Sequence, residues 1–172
     1  MLKKKEKKVS NMEIRTATLA DLDQVTAVEA ACFPPAEAAT QAEFKERLTY
    51  YGNHFWLLFD DEGKIIGFID GLVTDQKDLT DDMYAQAQLH NERGKWQMIF
   101  GLNTLPKYRC HGYGGKLIRA LTAAAKKQGR KGVVLTCKER LIPYYQHFGF
   151  KNEGLSRSIH GGATWYQMRL TF

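Results

Sequence analysis

Tyr108-Arg109-Cys110-His111-Gly112-Tyr113-Gly114-Gly115-Lys116 is the stretch that decides how this chain is read. An apolar, strand-like run from Trp96 to Leu102 precedes it, and a helical run from Leu117 to Lys127 follows. Glycines at 112, 114 and 115 let the backbone turn tightly at the mouth of a helix. Several N–H groups can then point at one anion with no side chain in the way, and the helix N-terminus adds roughly half a positive charge. A phosphate or pyrophosphate is the natural guest. Spacing removes two familiar phosphate loops. A G-x-G-x-x-G fingerprint would need a third glycine where Leu117 stands. A G-x-x-x-x-G-K-[ST] loop would need glycine at Cys110 and a hydroxyl at Leu117. What remains is R-x-x-G-x-G between a strand and a long helix, a spacing that a plain glycine-rich turn would share.

The 172 residues suffice for one domain with a substantial core. A hydrophobic content of 44% and an aromatic content of 12% are ordinary for a globular chain. No apolar run approaches the ~20 residues needed to span a bilayer, so no membrane role is expected. Met1 to Lys8 is charged and lacks an apolar h-region, which argues against a secretory signal. The net charge of +6 hints at nucleic acid until it is located. Five Lys and one Glu in residues 3–8 supply +4 of it, and the rest shows no basic stripe. Residues 1–11 are therefore expected to be a Lys-rich disordered tail on a single domain of residues 12–172, with no nucleic-acid partner. Cys32, Cys110 and Cys137 are odd in number and far apart, as in a reducing, cytoplasmic setting. No two of the five histidines stand at metal-ligand spacing on one helix, so no metal is expected.

Along the chain, Glu13 to Ala17 reads as a strand, and Thr18 to Asp21 opens a helix carrying Leu22, Val25, Val28 and Cys32 at helical spacing. Pro34-Pro35 stops it, and Thr40-Gln41-Ala42-Glu43 is a capping box for a second helix. His54–Phe59 and Ile65–Val73 read as strands of an antiparallel hairpin around Asp60-Asp61-Glu62-Gly63. Residues 74–95 are polar, with helical potential around Thr80 to Gln88. Val133–Cys137 is a buried strand, Leu141–His147 a short helix, and Phe150–Gly154 and Trp165–Leu170 close the chain as strands. The order β-α-α-β-β-β-α-β-α-β-β is that of a mixed α/β chain.

Val133 to Cys137 followed by Leu141-Ile142-Pro143-Tyr144-Tyr145-Gln146-His147-Phe148-Gly149-Phe150 resembles, together with the glycine loop, the GNAT N-acetyltransferase superfamily. Within it the chain is most similar to arylalkylamine N-acetyltransferase-like members, through Pro143 to Phe150, Asp75 to Thr80, Gly162 to Trp165 and Met168. The resemblance spans residues 12–172 and implies an acyl-CoA N-acyltransferase fold: α/β, with a mixed, mostly antiparallel central sheet flanked by helices. It implies acetyl-CoA as cosubstrate, wedged where two strands splay apart. The pantetheine arm would follow Leu102, Asn103 and Thr104. The pyrophosphate would rest on the N–H groups of Cys110, His111, Gly112, Tyr113, Gly114 and Gly115. Arg109 and Lys116 would add charge, or Arg109 would brace the loop.

The implied reaction carries acetyl directly to a primary amine of a small molecule, an arylalkylamine among the candidates. A peptide or protein amine, or a non-catalytic acyl-CoA sensor, is the alternative. Tyr145 matches the position where the family carries a Tyr beside the cofactor sulfur, and would protonate the leaving thiolate; Tyr144 reads as a packed aromatic. Backbone N–H near Leu102 would polarise the thioester. The best-known arylalkylamine members carry two histidines where Met98 and Phe100 stand here, and neither can accept a proton. The proton path is then water, or Glu29, Asp70 or His160, each of which also reads as structural. Phe33, Pro34 and Pro35 lie where the family borders its acceptor pocket, and equally read as a core-sealing loop. The expected state is a cytoplasmic monomer or homodimer.

Overall fold

Phe55, Trp56, Leu57, Leu58 and Phe59 are all buried, so the strand they form is covered on both faces. Phe55, Leu57 and Phe59 point into one apolar cluster with Val25, Val28, Phe44 and Leu48; Trp56 and Leu58 point into another with Leu117, Ile118 and Leu121. Two helices therefore lie over one face of the sheet and one long helix over the other. The computed structural model of the protein describes residues 12–172, and the tail expected at 1–11 lies outside the described residues.

Strand β1 (Glu13–Thr16) leads through a 3-10 turn into α1 (Leu22–Cys32), and α2 (Gln41–Tyr51) follows. The capping box at Thr40 forms as read, with Thr40 Oγ1 accepting from the Glu43 N–H at 3.2 Å and Glu43 Oε2 accepting from the Thr40 N–H at 2.7 Å. Next come β2 (Phe55–Phe59), β3 (Ile65–Asp70), β4 (Val73–Thr74), α3 (Asp82–Ala85), β5 (Trp96–Ile99) and β6 (Gly101–Thr104). The chain ends with α4 (Tyr113–Lys127), β7 (Gly132–Cys137), α5 (Ile142–His147), β8 (Lys151–Leu155) and β9 (Tyr166–Thr171). One sheet has the order β1-β2-β3-β6 and the other β4-β5-β7-β9-β8. Among the described residues every pairing is antiparallel except β5 with β7.

Two expected strands are each broken in two. Ile65–Val73 divides at Gly71-Leu72, and Trp96–Leu102 divides at Phe100, the halves joining different sheets. The physical reason is a close crossing. A Cβ on Gly71 would fall 1.8 Å from the Met98 carbonyl oxygen, so only glycine lets the two segments pass. Beyond the crossing, β6 stays with β3, whereas β5 has run parallel to β7 only as far as Ile99 opposite Leu135. The β6 and β7 backbones therefore separate, giving the splay that the family resemblance implied. The helix expected from Leu117 begins earlier, at Tyr113, so the last glycines of the loop belong to its first turn.

Candidate active site

The glycine loop adopts the geometry its composition allows. Gly112 caps α4 at φ 79°, and Cys110 is left-handed too, at φ 63°. The first α4 bond from this loop runs from the Lys116 N–H to the Gly112 carbonyl at 3.2 Å, which leaves the N–H groups of Tyr113, Gly114 and Gly115 without helical acceptors. A Cβ on Gly114 would sit 2.8 Å from the Tyr144 hydroxyl, and one on Gly115 would sit 3.1 Å from the Phe148 ring. Gly114 thus keeps the floor of the cleft low, and Gly115 lets α4 pack on the end of α5. Orphan donors over a cradle that a side chain would fill are what a pyrophosphate needs.

Arg109 donates from Nε to the Thr104 carbonyl at 3.0 Å, bracing loop to strand. His111 also folds back, its Nδ1 lying 2.6 Å from the Arg109 carbonyl, and its ring stacks on Tyr113. Lys116 is exposed, its ammonium 5.7 Å from the Tyr113 ring. Asn103 turns its side chain away from the cleft, Oδ1 accepting from the Phe68 N–H at 3.1 Å, so it offers the cleft its backbone.

A cavity of about 380 Å³ lies under the loop and is walled by Leu102, Thr104, Gly112, Gly114, Tyr144 and Tyr145. Tyr145 is 7% exposed and makes no hydrogen bond among the described residues, so its hydroxyl is free for a ligand. Burial pushes its phenol well above the ordinary range. The proton-transfer gap to a thiolate is then wider than between a free phenol and a free thiol in water. Tyr144 packs edge-on against Tyr145 and Phe148 as a packed aromatic, and at 39% exposed it also forms part of the cavity wall.

A second cavity, also about 380 Å³, shares Leu102, Asn103, Thr104 and Arg109 with the first and reaches Cys32, Phe33 and Pro34. Phe33 and Pro34 line this cavity, and Pro35 lies outside both linings. Deeper, a cavity of about 180 Å³ is bounded by Glu29, Glu43, Arg47, Tyr84, Phe100 and His160. Two of the three proton-path candidates from the sequence, Glu29 and His160, line it, and the third, Asp70, is buried behind Gly101. Glu29 is 4% exposed, and its Oε1 lies 4.0 Å from where a Gly101 Cβ would be; Asp70 Oδ1 lies 3.1 Å from the same point. Asp70 is fully buried and paired with Arg47 at 3.1 Å. Burial, reinforced by the Asp70 charge and opposed by Arg47, pushes the Glu29 carboxyl up to about 8. His160 donates from Nε2 to the Glu37 carbonyl at 3.1 Å and stacks on Tyr84. Met98 is wholly buried, and Phe100 stands in the deep cavity wall.

Several wall residues had no sequence signal. Tyr84 comes from the polar stretch before β5, Trp165 was read only as part of a family-like segment, and Glu43 only as a helix cap. Histidine spacing missed another cluster, in which His54, His90 and Glu92 bring their ligand-type atoms within 4.8 Å. Hydrogen bonding accounts for it without a metal. His90 Nδ1 accepts from the Val73 N–H, which puts its proton on Nε2, aimed at Glu92, and Arg130 approaches Glu92 at 3.3 Å.

Comparison with known proteins agrees with this architecture. Among solved structures, the loading GNATL domain of CurA from Lyngbya majuscula superposes with a TM-score of 0.80 at 19% identity, covering 93% of this chain and 97% of that one. Arabidopsis thaliana Naa50, in complex with the bisubstrate analogue CoA-Ac-MVNAL, superposes with a TM-score of 0.71 at 16% identity, covering 94% and 99%. A GNAT family acetyltransferase from Brucella melitensis in complex with acetyl-CoA gives a TM-score of 0.60 at 22% identity, covering 94% and 88%. Among curated proteins, serotonin N-acetyltransferase from Mesocricetus auratus is 27% identical over 110 residues, covering 63% of this chain. The match covers 52% of that protein, so the chain spans about half the length of the curated relative. The model described as the acetyltransferase (GNAT) family matches residues 22–150, from the start of α1 to the end of the α5 segment. On that match and this fold, the chain belongs to the GNAT acetyltransferase family.

Proposed function

We propose that the chain transfers the acetyl group of acetyl-CoA directly to a primary amine of a small molecule. The observation that carries this reading is a pair of cavities lined by adjacent residues of one strand, Leu102 to Thr104 in the loop cleft and Gly101 in the deep cavity. On one side lies the loop cleft with its orphan donors and the free Tyr145 hydroxyl; on the other lie the deep cavity and an unpaired Glu29. Acetyl-CoA supplies the activated acyl group when bound. The α4 N-terminus and the loop amides hold its pyrophosphate, and the backbone of Leu102 to Thr104 orients its arm. Ionised Glu29 takes a proton from the incoming amine, because an ammonium has no lone pair with which to attack. Tyr145 gives its proton toward the departing sulfur. Each residue thus handles one proton on one side of β6. Cys110 is exposed at the loop, and Cys137 is 2% exposed with its thiol pushed up to about 11 by burial, so neither is placed to carry the acyl group.

A peptide N-terminus as acceptor is the second reading, favoured by the outer cavity at Cys32 to Pro34 and by the fold likeness to Naa50. The test follows thiol release from acetyl-CoA against small amines and short peptides. Small amines are expected to give the higher kcat/KM, and Tyr145→Phe is expected to lower kcat by about 10²-fold. Acetyl-CoA binding without turnover on any acceptor would sink the transfer reading. Full kcat in Tyr145→Phe with chemistry rate-limiting would remove the acid role.

A further inference from the structure

We infer that the acceptor is a small dication, a diamine or polyamine, with its reacting amine at Glu29 and its distal ammonium at Glu43. This rests on the acetyl-transfer reading above and adds a substrate class to it. Charged groups facing the deep cavity are Glu29, Glu37, Glu43 and Arg47. Two of them are already neutralised: Arg47 by Asp70 at 3.1 Å, and Glu37 by Lys138 at 2.7 Å. Glu29 and Glu43 make no ion pair among the described residues, although the Arg47 charge is felt at both.

Glu29 is a 4% exposed carboxylate with neither a hydrogen bond nor an ion pair among the described residues, and it borders both the deep cavity and a small hollow beside it. Burying a carboxylate with no partner is costly, and a cationic ligand removes that cost. Glu43 makes hydrogen bonds only to the Thr40 backbone and hydroxyl, which leave its charge in place. Between the carboxylates, Tyr84, Phe100 and His160 give aromatic walls against which an alkyl chain bearing cations packs well. A monoamine would satisfy one carboxylate and strand the other. An α-amino acid would bring its own carboxylate into a cavity that is already negative. An arylalkylamine fits the aromatic walls but supplies a single charge.

The experiment measures kcat/KM by thiol release for 1,4-diaminobutane, 1,5-diaminopentane, butylamine, pentylamine and 2-phenylethylamine. Diamines are expected to exceed monoamines of equal length by about tenfold or more. In Glu43→Gln that ratio should collapse toward one, while the helix stays capped, because Gln serves at this position of a capping box. Thr40→Ala weakens the cap and keeps the charge, so the ratio should persist. Raising ionic strength should reduce the diamine advantage in the unmutated protein, a readout independent of any variant. Equal kcat/KM for butylamine or 2-phenylethylamine and the diamines would overturn the inference, as would an unchanged ratio in Glu43→Gln. If no amine releases thiol, calorimetric titration with 1,5-diaminopentane separates the two ideas. Binding that weakens in Glu43→Gln keeps the dication site and discards acetyl transfer; no binding discards both.

Discussion

Glu29 concentrates the residue-scale physics of the site. Only its ionised form accepts a proton, and burial with the Asp70 charge nearby lifts its carboxyl to about 8. The kcat/KM of the unmutated protein should therefore climb with pH through about 8, and Glu29→Gln should lose that limb together with most turnover. Stability should move the other way. The folded value lies above the ordinary 4.5, so the contribution from this group is complete below 4.5 and lost as pH rises through about 8. At pH 9 the permanently neutral Glu29→Gln should melt several degrees above the parent, with the gap closing below pH 4.5; melting curves across pH check it. Sequence named Glu29 only as one of three proton-path candidates, because its burial and missing partner are products of packing. Tyr145 was legible through the segment around it, and Glu43 was legible only as a cap.

Two elements carry the site, the loop entering α4 and the broken strand β5–β6. At Gly112 a Cβ would meet nothing within 4 Å, yet the backbone stands at φ 79°. Gly112→Ala thus tests conformation without a clash. It should cost about 1 kcal/mol or more of stability, by denaturant titration, and weaken acetyl-CoA binding several-fold by calorimetry. Gly114→Ala should weaken binding without that conformational penalty, since its Cβ would collide with the Tyr144 hydroxyl at 2.8 Å. The loop was readable because glycine spacing is local information. The strand break was not. Trp96 to Leu102 is one uninterrupted apolar-rich run, and what divides it at Phe100 is that its halves bond different neighbours, β7 for one and β3 for the other.

On the scale of the whole molecule, Glu92 ties together three segments far apart in sequence. It faces His54 just before β2, lies near His90 in the approach to β5, and meets Arg130 between α4 and β7. His54 Nδ1 faces Gln97 Oε1 at 2.9 Å, and the Gln97 amide nitrogen is committed to the carbonyls of Gly71 and Met98. The His54 ring is thus held between Gln97 on one side and Glu92 on the other. Burial raises the Glu92 carboxyl, but hydrogen bonds from His54 and His90 outweigh it and bring it down to about 2. Its contribution is present above the ordinary 4.5 and disappears as pH falls through about 2. Glu92→Gln should accordingly lower Tm at neutral pH, and its melting curve should converge on the parent's in strong acid.

Short-range order set the capping box at Thr40, the glycine loop, the apolar face of α4 and the hairpin of β2 with β3, because each depends on residues a few positions apart. The order of those segments was enough to point to the family. Tertiary structure alone decided the crossing at Gly71, the opening between β6 and β7, and the meeting of Glu29, Glu43, Tyr84 and His160 around one cavity. Those residues come from α1, α2, α3 and the turn before β9, so no local pattern could bring them together. Whether a carboxylate is a solvated charge or an unpaired buried one is a property of everything packed around it. That is why the glycine loop was legible in the sequence and the cluster around Glu29 only in the fold.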